Sequence, residues 1–326
     1  MTNQLNLQNF KLGDFVMEYL VLIAIVVLIV VTAIVEPKFL TEQNFINLMR
    51  QFGPLSFVAL GMTFIILGGF IDLSVPGMIS LVAMVTLSMI DVVGELPAML
   101  MGLGLGATLG CINGTVLVVS GASTQAKALF ITFGMSQIYG ATALLYRAGA
   151  PIDRNFIAHP MPVTRQLGTG MMGFLSISFV LFLFCLALLY VFQKKTFLGR
   201  AINYTGGNIV AAELGGLPTK RIMIIIYAIC GLMAAVSAIV LFSRVPVTVP
   251  TVGANYERDA IMAVVVGGTS LLGGRGSVLR TVLGISLVVL LSNCMNLLGV
   301  QTHLQEVLRG AILVTAIWLD HRRHNK

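Results

Sequence analysis

Long apolar runs recur along the whole chain, and they constrain it more than any other feature. The strongest are Tyr19–Val35, Gly53–Ile71, Leu96–Val119, Leu129–Tyr146, Phe174–Phe192, Ile222–Phe242 and Val282–Val300. A segment in hydrocarbon must satisfy its own backbone hydrogen bonds, so apolar runs of about 17–25 residues read as helices. Three weaker stretches join them. Val75–Ile90 is slightly short, Ala260–Leu272 is too short to span unless tilted or broken, and Leu304–Leu319 carries Glu306 and Arg309. Together they predict an all-α polytopic membrane protein of about 10 transmembrane helices, with both termini on the same side.

Composition excludes the alternatives. Hydrophobic residues make up 57% and charged residues 10% of the 326 residues, against roughly 45–50% and about 25% in soluble chains. No water-soluble core hides that much apolar surface. Disordered, collagen-like and disulfide-stapled scaffolds are excluded too. Cys111, Cys185, Cys230 and Cys294 sit inside apolar stretches without short spacing, which suits packing rather than a disulfide framework or a metal site. The net charge of +7 needs no nucleic acid to explain it, because Lys and Arg gather in loops that face the cytoplasm.

That bias orients the chain. With the N-terminus inside, the inner side receives Lys11, Lys127, Arg275 and Arg280. It also receives two dense groups, Lys194, Lys195, Arg200, Lys220 and Arg221 in the 193–221 loop, and Arg322, Arg323 and Lys326 in the tail. Cytoplasmic termini follow. The first apolar run exceeds the 7–15 residues usual in a signal peptide and lacks a small-residue cleavage site, so an uncleaved helix is expected. The outer loop spans 147–173.

Glycines punctuate the spans. Gly102, Gly106, Gly110 and Gly114 recur every fourth residue, a stripe that lets helices approach closely in lipid. The segment from Gly68 to Gly77 sets Asp72, Ser74 and Pro76 between two spans. Its freed backbone groups must face protein or water. Asp72 is costly at mid-bilayer; at a helix start it caps free N–H groups, with Ser74 assisting, and a direct transport role is the alternative. A second break runs from Gly267 and Gly268 to Ser277. It lacks the lysine of a phosphate-binding loop, since Gly274 stands in that place. The chain therefore offers no nucleotide-hydrolysis site, and no catalytic residue or cofactor of its own is expected. His159, His303, His321 and His324 are scattered, which argues against a membrane enzyme or metal centre.

The 193–221 loop is the most informative stretch. Gly206-Gly207-Asn208 caps a short Ala-rich helix of about two turns containing Ala211, Ala212 and Glu213, which Gly215-Gly216 and Pro218 then stop. A short helix across the cytoplasmic face suits a docking knob or a plain linker. Polar residues on the central spans, Asn113, Thr132, Ser136, Gln137, Asn293 and Asn296, are candidates for a translocation path or for bonds between helices. Glu306 and Arg309, three apart, are placed to pair with each other.

These segments resemble the permease subunit of bacterial ABC-type monosaccharide importers, the ribose/galactose/xylose-type permease family. The resemblance rests on Ala59–Phe64 with Asp72-Leu73-Ser74-Val75, on Gly199-Arg200 with Gly206-Gly207-Asn208 and Ala211-Ala212, on Tyr256–Ser270 with Gly273–Val278, and on Asn293 with Asn296–Val300. It covers nearly the whole chain and implies one transmembrane permease domain over 1–326, a multi-pass protein of the bacterial inner membrane. A second permease copy completes the pathway. A periplasmic sugar-binding protein delivers a monosaccharide, and a cytoplasmic ABC ATPase subunit uses ATP and Mg to drive alternating access. Gly206–Gly216 is similar to the family's coupling helix, which implies that Ala212→Arg uncouples transport while membrane insertion survives.

The chain departs from that pattern at several points. Ile209 and Val210 stand where one acid is usual, Glu213 where Arg is frequent, Pro76 where Gly is usual, and Ala122–Ala128 replaces an apolar, Pro-containing stretch. The altered charge at the docking surface implies a specialised ATPase partner. The rival reading, a secondary transporter driven by an ion gradient, would use the glycine breaks as its binding site.

Overall fold

The computed structural model describes residues 12–122 and 124–324. Lys11, Ser123 and Lys326, used in the sequence reading, lie outside the described residues. The helices are α1 Leu12–Val35, α2 Glu42–Leu67, α3 Val75–Val93, α4 Glu95–Val119, α5 Gln125–Tyr146, α6 Pro162–Thr169, α7 Ile177–Lys195, α8 Phe197–Gly207, α9 Ile209–Leu214, α10 Thr219–Arg244, α11 Tyr256–Val266, α12 Val278–Leu297 and α13 Thr302–His324. Among the described residues, seven helices are long and apolar enough to cross a membrane: α2, α3, α4, α5, α7, α10 and α12.

α1, α11 and α13 make up the remainder of the expected spans. The described side chains of α1 carry an apolar run over Val21–Val35. α11 has only 11 residues, so it is a half-helix that ends in the second glycine break. Val75–Ile90, the slightly short stretch, extends to Val93 as a full helix of 19 residues.

α10 and α2 form the centre. Burial covers 78% of the most apolar window of α2 and 67% of that of α10, but 22% in each of α5 and α7. The peripheral helices therefore turn apolar side chains such as Phe130, Phe133, Phe184 and Leu188 outward, as lipid requires. The glycine stripe explains how α4 reaches α10. A Cβ at Gly106 would lie 2.5 Å from the Gly231 carbonyl oxygen, one at Gly114 2.6 Å from the Ile224 Cα, and one at Gly110 would overlap the Tyr227 carbonyl. The stripe is thus a contact within the chain, and Gly102 extends it to Thr86 on α3. All four cysteines are free.

The segment over 147–173 is built rather than slack. β1 (Ile152–Asp153) pairs antiparallel with β4 (Val247–Thr248), and β2 (Met171–Met172) pairs with β3 (Leu175–Ser176). Glu95, at the start of α4, accepts from the Val163 and Thr164 amides and so caps α6. Arg50 donates to the Thr169 carbonyl and Arg154 to the Ser243 carbonyl, both at 2.7 Å.

Candidate functional site

The 193–221 segment is two helices where the sequence reading expects one. Thr196 caps α8 by accepting from the Gly199 amide at 2.9 Å. Gly206 and Gly207 close α8 rather than open α9. Asn208 then does double duty: its backbone turns extended at φ −162° and its side chain accepts from the Ala211 amide at 3.0 Å, capping α9. Gly216, at φ +78°, ends that helix, and the Leu217 amide returns to the Ala212 carbonyl at 3.0 Å. Glu213 accepts from the Thr219 hydroxyl at 2.7 Å, tying α9 to the start of α10.

Burial within α9 revises the expectation at Ala212. That residue is 5% exposed and faces the body of the protein, whereas Val210 is 61% and Leu214 86% exposed. An arginine at 212 would therefore disturb how α9 sits before it touched any partner. Val210 and Leu214, four apart on one face of a short helix, are the outward apolar pair that the sequence reading passed over. An open groove of about 740 Å³ is lined by α8, by Ala211 and Ala212 of α9 with the flanking Asn208 and Gly215, and by the segment Leu272–Arg275, and so leaves out Val210 and Leu214.

The second glycine break lines this groove, and the first packs against the second. α2 ends at Gly68, and Gly69 turns at φ +82°. α11 ends at Gly267, Gly268 turns at φ +91°, and a Cβ on Gly267 would lie 2.6 Å from the Arg280 carbonyl of α12. The two breaks meet where the Gly274 amide donates to the Leu67 carbonyl at 2.9 Å.

Beyond Gly69 the chain enters a buried polar cluster. Asp72 and Ser74 have no solvent exposure. Asp72 accepts from the amide and the hydroxyl of Ser74, so it organises the turn into α3, while the Ser74 side chain makes no capping bond itself. Asn113 donates to the Ser74 hydroxyl at 2.6 Å and accepts from the Tyr139 hydroxyl at 2.8 Å. The Thr132 hydroxyl accepts from the Leu73 amide at 3.0 Å, and the Tyr227 hydroxyl donates to the Ile71 carbonyl at 3.2 Å. The first break is thereby held by α4, α5 and α10.

The six residues expected along a path do not share one site, and Gln137 is exposed on α5. Asn113 and Thr132 join the Asp72 cluster. Ser136 is half-buried where α5 meets α3, its carbonyl 2.5 Å from where a Cβ on Gly77 would stand. Asn293 exchanges hydrogen bonds with Asn44 at 2.8 and 3.2 Å, and Asn296 accepts from Gln305 at 3.0 Å. Those two amides are used in bonds between helices. The expected Glu306–Arg309 pair does not form. Arg309 instead reaches Asp259 at 2.9 Å and the Ser292 hydroxyl at 3.0 Å, and Glu306 faces Arg258 at 4.0 Å. Among the described residues, no group of three or more His, Cys, Asp or Glu side chains is arranged to hold a metal.

Comparison with known proteins agrees with this architecture. Residues 44–317 match the family described as branched-chain amino acid transport system / permease component. The chain is 33% identical over 316 residues to the ribose import permease protein RbsC of Haemophilus influenzae, covering 96% of each. It is 34% identical to RbsC of Bacillus subtilis, covering 96% of this chain and 93% of that one. It is 30% identical to the xylose transport system permease protein XylH of Haemophilus influenzae, covering 97% and 100%. No solved structure matches it. The apolar helices, the glycine-broken turns and these matches lead to one conclusion: the chain belongs to this permease family, alongside the ABC-type monosaccharide import permeases, and is a multi-pass protein of the inner membrane.

Proposed function

We propose that this protein is the membrane-spanning subunit of an ATP-driven importer that carries a monosaccharide from periplasm to cytoplasm by alternating access. Two copies form the pathway. A periplasmic binding protein presents the sugar at the outer face, and a separate cytoplasmic ATPase, which binds ATP and Mg, docks on α9. Such a division suits a span region with few charges: a ligand shifts a conformational equilibrium only through differential affinity, so tight binding belongs to the delivery protein and the pathway stays weak.

The observation that carries this reading is α9 itself. A helix of six residues capped at both ends, with Val210 and Leu214 exposed on the side richest in Lys and Arg, is a rigid apolar knob suited to a pocket in a partner. The relatives named for ribose and xylose support a sugar as cargo, while the family description names branched-chain amino acids.

Purifying the tagged protein from its native membrane in mild detergent tests the assembly, with a stoichiometric soluble ATPase as the expected companion. Uptake of labelled ribose, xylose and leucine, with ATP and ion gradients varied separately, tests cargo and energy source. A chain that purified alone and moved cargo on an ion gradient would replace this reading with a secondary transporter.

A further inference from the structure

Three glycine-rich segments from distant parts of the chain meet backbone to backbone at one point: the end of α2, the end of α8 and the loop after α11. Gly206, in the last turn of α8, has no room for a side chain. A Cβ there would overlap the Leu67 carbonyl oxygen and lie 2.8 Å from the Gly274 amide nitrogen. Gly273, at φ +85°, would place a Cβ 2.6 Å from the Gly206 carbonyl oxygen and 2.8 Å from the Gly69 Cα. Gly274, at φ +73°, would place one 2.8 Å from the Gly207 Cα. The hydrogen bond from Gly274 to Leu67 closes the triangle. Positive φ explains part of this composition, since only glycine adopts it freely. Gly206 has an ordinary helical backbone, so close approach alone excludes a side chain there.

Each corner leads somewhere different. α8 leads to α9 through the single residue Asn208. Gly69 leads within a few residues to Ile71, Leu73 and Asp72, which are bonded to Tyr227, Thr132 and Ser74. The loop after α11 is tied to α5, because Gln125 donates to the Leu271 carbonyl at 3.0 Å. α5 is therefore anchored to both breaks, at Gln125 and at Thr132. Close-packed backbone cannot be compressed, so a shift of α8 displaces both breaks together rather than being absorbed by side-chain rotation.

Resting on the importer reading above, we infer that this glycine junction is the transmission element of the transporter: Gly206, Gly273 and Gly274 are positioning residues that pass movement of α9 into the Asp72 turn and into α5. Docking of the ATPase and transmission of its movement are then separable, because the outward pair Val210 and Leu214 makes no part of the junction.

The experiment uses the complete complex in its native membrane with its binding protein. Gly206→Ala is expected to lower uptake at least tenfold while the ATPase still co-purifies at the wild-type ratio. Gly69→Asn is the milder variant: asparagine tolerates the left-handed backbone, and its Cβ would sit 3.4 Å from the Gly206 carbonyl oxygen. It is expected to lower uptake severalfold at normal expression. Gly104→Ala, which meets open space on α4, is expected to behave as wild type. Wild-type uptake in both junction variants overturns the inference. So does loss of the ATPase from them, which would make the junction a docking element, or absence of both from the membrane, which would make it a folding requirement. If the wild-type chain itself brings down no ATPase, the importer reading fails and the inference falls with it.

Discussion

The Arg309 guanidinium lies 2.9 Å from the Asp259 carboxylate, joining α13 to the half-helix α11. Both side chains are largely shielded, at 25% and 18% exposed. Removing one partner from a fully buried pair costs about 3–5 kcal/mol because a charge is left uncompensated; with this residual exposure, roughly 2 kcal/mol is expected. Thermal unfolding in detergent of Arg309→Leu, Asp259→Leu and the double variant checks it. The double variant should be more stable than either single one, and a double-variant loss equal to the sum of the two single losses would mean the pair is not coupled.

The glycine stripe of α4 makes a prediction with its control on the same helix. Gly110→Ala drives a methyl group into the Tyr227 carbonyl, whereas Gly104→Ala meets open space. Overpacking costs about 1–3 kcal/mol, while alanine gains up to about 1 kcal/mol over glycine in a helix interior. Melting temperatures should therefore fall for Gly110→Ala and hold or rise for Gly104→Ala.

Asn293 separates a path role from a packing role. Its amide exchanges two hydrogen bonds with Asn44 between α12 and the start of α2. Interhelical bonds of this kind are worth about 1 kcal/mol in membranes. Asn293→Ala should lose about that much stability while the KM for cargo stays unchanged. A raised KM at unchanged stability would put Asn293 in contact with cargo.

Legibility in the sequence followed the range of the physical signal. The spans were readable because hydrocarbon imposes a length and a composition on each segment separately. The helix breaks were readable because Gly, Pro and Asp interrupt apolar runs locally. Gly206 and Gly207 belong to the end of α8, a helix that the sequence marks poorly, since Thr196-Phe197-Leu198 opens it with only one capping residue. Two-residue strands such as Ile152–Asp153 carry no periodicity at all. The partner of Arg309 is hidden from the sequence for a related reason. Spacing rules compare residues on one helix, but Asp259 approaches from another, and only packing brings it there. The same holds for the contact of Gly206 with Leu67 and Gly274.

The exposed pair on α9 supports the sharpest separation of roles. Val210 and Leu214 project outward, while Ala212 packs inward and Glu213 is held by Thr219. A partner pocket that buries an exposed leucine gains about 1.5–3 kcal/mol from it, and a carboxylate in its place would bring a desolvation cost as well. Leu214→Asp should therefore lower the amount of co-purifying ATPase at least tenfold, with the melting temperature of the permease unchanged because the site is open to water. Ala212→Arg should do the reverse in order: the larger side chain displaces α9 first, so the melting temperature falls together with ATPase binding. Detergent melting curves and pull-down ratios on the two variants distinguish these outcomes. Wild-type pull-down with Leu214→Asp would move the docking surface away from α9.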